Sequence, residues 1–214
     1  MKIAIIIGIL VLIYLLFSGS GTGYIRKNGS WYWVTIDEYN GKREHLIPDA
    51  DPASFEVLQF DQFAKDSQHV YYEGKIIKQA RPSTIQMIGD KKSNYLADDQ
   101  HVFFRTEIII KADPSTFKVL EFPYSRDKND VYCGTIPMML AKEYVSTFKV
   151  TNSDLLMKGM ISTIKLSHFL EFNPKYEWIT KSNPDLEYVI TGEWGTGEAL
   201  NKKFKGLHEV SAGK

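Results

Sequence analysis

The chain has 214 residues, with 26 basic and 26 acidic side chains and no formal net charge. That length suits one domain with a real core, and balanced charge without a basic stripe speaks against nucleic acid as a partner. The single cysteine, Cys133, excludes an internal disulfide and any zinc site built from several thiolates.

Ile3 to Phe17 is a continuous apolar run without a charge, preceded only by Met1 and Lys2. As a helix it spans about 22 Å, short of a hydrocarbon core of about 30 Å. Two readings stay open. One is a cleaved signal peptide, with Ser18 and Ser20 as the small residues before the cut. The other is an uncleaved anchor that a locally thinned bilayer accepts. The Ile and Leu content, and the lack of an Ala-x-Ala site, favour an anchor over residues 1–20, embedded through residues 3–17. No Cys follows the run, which excludes a lipid-modified cysteine. Lys2 on one side and Arg26 and Lys27 on the other give only a weak vote on orientation. The globular part is expected outside the membrane, after a flexible linker from Ser18 to Gly23.

A repeat follows. Ala50-Asp51-Pro52-Ala53-Ser54-Phe55 returns as Ala80-Arg81-Pro82-Ser83-Thr84-Ile85 and as Ala112-Asp113-Pro114-Ser115-Thr116-Phe117, with a looser copy ending at Phe148. The spacings from Phe55 through Ile85 and Phe117 to Phe148 are 30, 32 and 31 residues. A second motif keeps phase with the first. Asp66 leads to Val70-Tyr71-Tyr72, Asp98 to Val102-Phe103-Phe104, and Asp127 to Val131-Tyr132-Cys133, each followed by an apolar pair. Two motifs in phase mark a tandem repeat. The β-branched and aromatic triplets predict strands, and Glu73-Gly74-Lys75 a hairpin connection to Ile76-Ile77. The Asp-Pro segments predict a capped helical turn. Val57 to Phe60 and Val119 to Phe122 read as a third short strand. The fold class is therefore mainly β with short helical turns, in repeats of about thirty residues that bury their apolar faces by stacking. The organisation reads as residues 1–20 anchor or signal segment, 21–150 repeat domain and 151–214 a smaller α+β C-terminal cap.

Asp127-Lys128-Asn129-Asp130-Val131-Tyr132-Cys133-Gly134, with Ala112 to Phe117, resembles the signature of the DKNYY repeat family of bacterial proteins. The resemblance covers roughly residues 50–150. Cys133 departs from it by replacing the second Tyr, and the other copies read Asp66-Ser67-Gln68 and Asp98-Asp99-Gln100. The resemblance implies bacterial origin, frequent attachment to the envelope and no known catalytic residue.

Beyond Val150 the phase is lost. Asn152-Ser153-Asp154 predicts the cap of a helix starting near Leu155. Leu166 to Phe172 fits helix or strand. Lys175 to Thr180 alternates and reads as a strand, partnered by Leu186 to Thr191. Gly206 to Lys214 is expected to fray.

Chemistry is sparse. His69 and His101 occupy equivalent repeat positions, and with Asp66 and Asp98 they raise a metal site, against the plainer reading of a polar residue copied with its repeat. The Gly-rich stretch Gly192 to Gly197 lacks the Lys-Ser/Thr of a phosphate loop. The pair Asp98-Asp99 reads as a solvated turn, and Cys133 as buried and inert. No catalytic, cofactor-binding or metal-ligating residue is assigned. The paired aromatics offer a binding face instead, because strand neighbours point to opposite faces. Trp31, Trp33, Tyr72, Phe104 and Tyr132 are the candidates, unless a second layer covers both faces. The function expected is a non-catalytic, single-pass inner-membrane protein with a periplasmic binding domain. Its sharpest form is an immunity protein that neutralises a toxin. The alternative is a structural or assembly factor that binds envelope proteins or cell-wall glycan.

Overall fold

The computed structural model describes residues 21–37, 39–90, 93–152, 162–192 and 194–210. The expected membrane segment and the helix expected from Leu155 lie outside them. Among the described residues, no helix is long and apolar enough to cross a membrane. The chain is mainly β, with many small antiparallel sheets and a few short helices, as the pattern predicts. Its contacts divide it into two units, Met1–Ile76 and Ile77–Lys214. The division falls within the repeats.

In the first unit, β1 (Gly23–Lys27), β2 (Ser30–Asp37) and β3 (Gly41–Leu46) form a three-stranded sheet. Asn28-Gly29, both at positive φ, closes its first hairpin. The first repeat follows as a four-stranded meander: β4 (Glu56–Val57), β5 (Phe63–Lys65), β6 (Val70–Tyr72) and β7 (Lys75–Ile76). Trp33, Ile47, Phe55, Ala64 and Tyr71 make the core of this unit. The Tyr24 hydroxyl accepts from the Gly74 N–H at 3.0 Å and donates to the Gln62 carbonyl at 3.1 Å, so sheet and meander are hydrogen-bonded together.

The second unit repeats the meander twice. The strands are β8 (Gln86–Ile88), β9 (Tyr95–Ala97), β10 (Val102–Phe104) and β11 (Glu107–Ile108), then β12 (Lys118–Val119), β13 (Tyr124–Arg126), β14 (Val131–Cys133) and β15 (Ile136–Pro137). In the fourth copy the Asp-Pro turn is two residues longer and becomes a helix, Lys142–Thr147. The cap follows, with β16 (Lys149–Asn152), β17 (Ser162–Lys165), helices Leu166–Phe172 and Trp178–Ser182, and β18 (Tyr188–Thr191). It ends with β19 (Thr196–Ala199), β20 (Lys202–Lys205) and β21 (His208–Val210). Tyr124, Val131 and Cys133 of the third repeat share a core with Leu166, Phe169 and Ile179 of the cap. The Thr135 hydroxyl accepts from the Ile190 N–H at 2.9 Å, locking β18 onto the third hairpin.

One buried aspartate organises each repeat. Asp66 Oδ1 accepts the N–H groups of Gln68 and His69 at 2.8 and 2.6 Å, closing its own turn. Its Oδ2 accepts the Asp51 N–H at 3.0 Å and the Tyr71 hydroxyl at 2.7 Å, fastening the Asp-Pro turn. Asp127 repeats all four bonds, to Asn129, Asp130, Asp113 and Tyr132. Asp98 repeats three, to Gln100, His101 and Arg81. A second tie joins the same two turns. It is Arg81 to Asp99 at 3.2 Å in the second repeat and, with the charges exchanged, Lys128 to Asp113 in the third.

Four expectations are corrected. The strands of β5, β9 and β13, which precede each aspartate, complete a four-stranded unit where the sequence suggested three. The strand expected at Val57 to Phe60 ends at Val57, and its counterpart from Val119 ends there too. Lys175 to Thr180 is helical: Pro174 opens a 3-10 turn, and the buried residues are Tyr176 and Ile179, three apart, where a strand would bury every second residue. Leu186 to Thr191 accordingly pairs, through β18, with β17. His208–Val210 is not frayed but pairs with β20.

Candidate functional site

The five aromatics singled out from sequence do not form an exposed row. Trp33, Tyr72, Phe104 and Tyr132 are buried, and Trp31 is half-buried. Trp31 stacks on Phe55 at 4.5 Å between ring centroids and Trp33 meets Tyr24 edge-on at 4.9 Å, both inside the first core. Tyr72 packs on Phe63 at 4.9 Å. Phe104 and Tyr132 belong to one core cluster of the second unit. Both neighbours are buried in each repeat pair, Tyr71 with Tyr72, Phe103 with Phe104 and Tyr132 with Cys133.

The histidines of the repeats face carboxylates that are engaged elsewhere. His69 Nδ1 lies 3.8 Å from Asp66, and His101 Nδ1 lies 3.6 Å from Asp98, but those carboxylates already hold the turns. Among the described residues, no three His, Cys, Asp or Glu side chains converge as metal ligands would. Cys133 is fully buried, its thiol 3.2 Å from the Gly192 carbonyl.

Two exposed aromatics of the cap, Phe172 and Trp194, line a cleft of about 530 Å³. Helix Leu166–Phe172 buries Leu166 and Phe169 and stops where Asn173 bonds back to the Phe169 carbonyl at 3.0 Å, ahead of Pro174. The stop leaves Phe172 73% exposed at the rim, with His168 packed edge-on against it at 5.2 Å. The opposite wall carries Trp194, 54% exposed, with the Lys205 ammonium 5.2 Å from its ring centroid. Gly192 and Gly195 flank Trp194, and a Cβ at either would overlap Pro123. Only glycine therefore lets this loop lie flat on the third repeat. The Gly195 carbonyl accepts the Tyr124 hydroxyl at 2.8 Å and the Gly206 N–H at 2.9 Å, which fixes the wall. Within the cleft lining, the Thr191 hydroxyl is buried with no protein partner. A buried hydroxyl without a bond costs about 1–3 kcal/mol, and a polar group on a ligand would relieve that.

The site thus offers two aromatic surfaces, imidazoles from His168 and His208, one ammonium and an unsatisfied hydroxyl in a concave setting, the composition of a small binding cleft. Sequence reasoning missed it because its walls come from three separate segments, within 164–173, 191–194 and 205–210. The available signal was an aromatic in a glycine-rich turn, Trp194.

The DKNYY family pattern matches residues 24–156 and again residues 95–189. The chain belongs to the DKNYY family. No curated protein and no solved structure matches it. The two overlapping DKNYY matches reflect the repeats, which the pattern fits in two registers. The DKNYY span ends within β18, so His168 and Phe172 lie inside it while Thr191, Trp194 and Lys205 lie beyond it.

Proposed function

We propose that this DKNYY protein is a non-catalytic binding protein of the bacterial envelope, held to the inner membrane through residues 3–17, and that it acts as an immunity protein. Its repeats are the scaffold and its cap carries the partner site. The observation that carries this reading is the cap cleft, where Phe172 and Trp194 remain exposed while the aromatic pairs of the three repeats are buried. Exposed aromatics beside a polar rim are what protein partners use as anchors. The repeat aspartates that suggested chemistry, Asp66 and Asp98, are engaged in holding turns, which also favours a scaffold over an enzyme.

The test is genetic. A strain deleted for this chain is grown with its parent, and complemented with the wild type or with Phe172→Ser/Trp194→Ala. The deletant is expected to be killed in contact with the parent, with rescue by the wild type alone. Equal survival of deletant and parent sinks the immunity reading. The exposed indole of Trp194 beside Lys205 also suits a sugar face, so the second reading is a cell-wall glycan binder. Retention of the full chain on isolated cell wall, lost in Trp194→Ala, would establish that reading instead.

A further inference from the structure

The first strand of each repeat pairs its opening residue with the last residue before the stapling aspartate or with that position's neighbour across the ladder. The opposed pairs are Glu56 with Lys65, Gln86 with Ala97 and Lys118 with Arg126. In the first repeat they form an ion pair at 3.4 Å. In the second they are neutral. In the third they are two cations directly opposite each other, an arrangement that destabilises a ladder unless an anion sits between them.

Nothing among the described residues supplies that anion. Lys118 makes no ion pair. The Arg126 guanidinium leans on the end of helix Lys142–Thr147, with Nη1 3.3 Å from the Ser146 carbonyl and 3.5 Å from that of Val145. The same helix brings up Lys142, which is exposed and has no ion pair among the described residues. These three cations line a cleft of about 450 Å³ together with Thr116 and Ser146. Two further charged residues, Asp127 and Lys128, lie on its wall. Lys128 is tied to Asp113. Asp127 directs both oxygens at the turns, accepting from Asn129 and Asp130 on one and from Asp113 and Tyr132 on the other.

We infer that this groove of the third repeat is an anion site that takes a phosphate group. Three cations without an ion pair among the described residues call for a multivalent oxyanion, and a guanidinium flanked by ammonium groups fits the oxygens of a phosphoryl group. The phosphate comes either from a free phosphorylated compound or from the headgroup of an anionic lipid, and the two differ in the test.

The full chain is titrated with pyrophosphate by calorimetry at low salt. In parallel it is sedimented with phosphatidylcholine vesicles with and without phosphatidylglycerol. Lys118→Glu is the decisive variant, because it rebuilds in the third repeat the ion pair of the first, so its melting temperature should equal or exceed that of the wild type. Pyrophosphate binding that Lys118→Glu weakens about tenfold or more supports the site with a free phosphate as its ligand. A phosphatidylglycerol-dependent increment in sedimentation that Lys118→Glu abolishes supports the site with a lipid headgroup. Lys142→Gln, which removes one charge without reversing it, should weaken whichever binding is seen by a smaller factor. Binding to neither probe, or binding that Lys118→Glu leaves unchanged, overturns the inference.

Discussion

Phe103 stands where Tyr71 and Tyr132 stand in the other repeats, and the difference of one oxygen isolates what that position does. Tyr71 and Tyr132 donate to the stapling carboxylates at 2.7 and 2.8 Å, while Asp98 lacks that fourth donor. Phe103→Tyr should supply it and add about 1 kcal/mol of stability, read as a melting temperature higher by about 2–4 °C. No gain, or a loss, would mean that the second repeat has closed around the phenyl ring and has no room for the hydroxyl. At this scale the sequence was half legible. The spacing of Asp66, Asp98 and Asp127 before each strand marked them as turn residues. That one carboxylate would fasten a second turn about fifteen residues earlier was not, because adjacency of two loops is a property of the packed unit.

Hairpins set the next scale. The turn between β14 and β15 places Gly134 at φ 62° with the Ile190 carbonyl so near that a Cβ would overlap it. Glu73 and Arg105 hold the equivalent position at positive φ with side chains, so the backbone shape alone does not demand glycine there. The demand comes from β18 of the cap. Gly134→Ala should therefore cost roughly 2 kcal/mol or more, and a denaturant melt followed by fluorescence checks it. The strands around Val70, Val102 and Val131 were readable because β-branched and aromatic triplets between polar turns leave few alternatives. Lys175 to Thr180 misled, because its alternation imitates a strand while Pro174 and Asn183 bound a segment that buries residues three apart. The aromatic pairs misled differently. Val102, Phe103 and Phe104 are all buried, although neighbours in a strand face opposite ways. A sheet covered on both faces gives the same sequence as one with an exposed face until its neighbours are placed.

For the whole molecule, the turn carboxylates define the response to acid. The Ser54 hydroxyl holds Asp51 below the usual carboxylate range, and the Thr84 hydroxyl, with the Arg81 charge, does so for Asp99. Burial pushes Asp66 upward, but its four hydrogen bonds outweigh burial and leave it lowered. The Lys128 ammonium, with Ser115, brings Asp113 to about 2. A depressed carboxylate stabilises the fold above its unfolded value, and that contribution is lost as pH falls through the folded value. Stability should be level above about pH 5 and decline from about 4 towards 2, as followed by thermal melts across that range. Glu107 and Asp130, raised chiefly by burial, act in the opposite sense and blunt the decline. Lys128→Gln should return Asp113 towards its ordinary value in a carboxyl-detected NMR titration. An unchanged Asp113 would assign its shift to Ser115 instead. The cap cleft also belongs to this scale: His168, Phe172, Trp194 and Lys205 have no common motif, and only the closure of the cap on the third repeat makes them neighbours.

The exchanged ion pairs of the second and third repeats bear on how the chain finds its own register. Tandem copies this alike invite a turn from one to dock on the aspartate of the next, the usual error of repetitive sequences during folding. Here such a crossover would set Arg81 against Lys128 and Asp113 against Asp99, two repulsions where the correct assembly has two attractions. The reversal of charge between otherwise interchangeable copies works as an address, letting each turn recognise its own repeat before the core has closed around it.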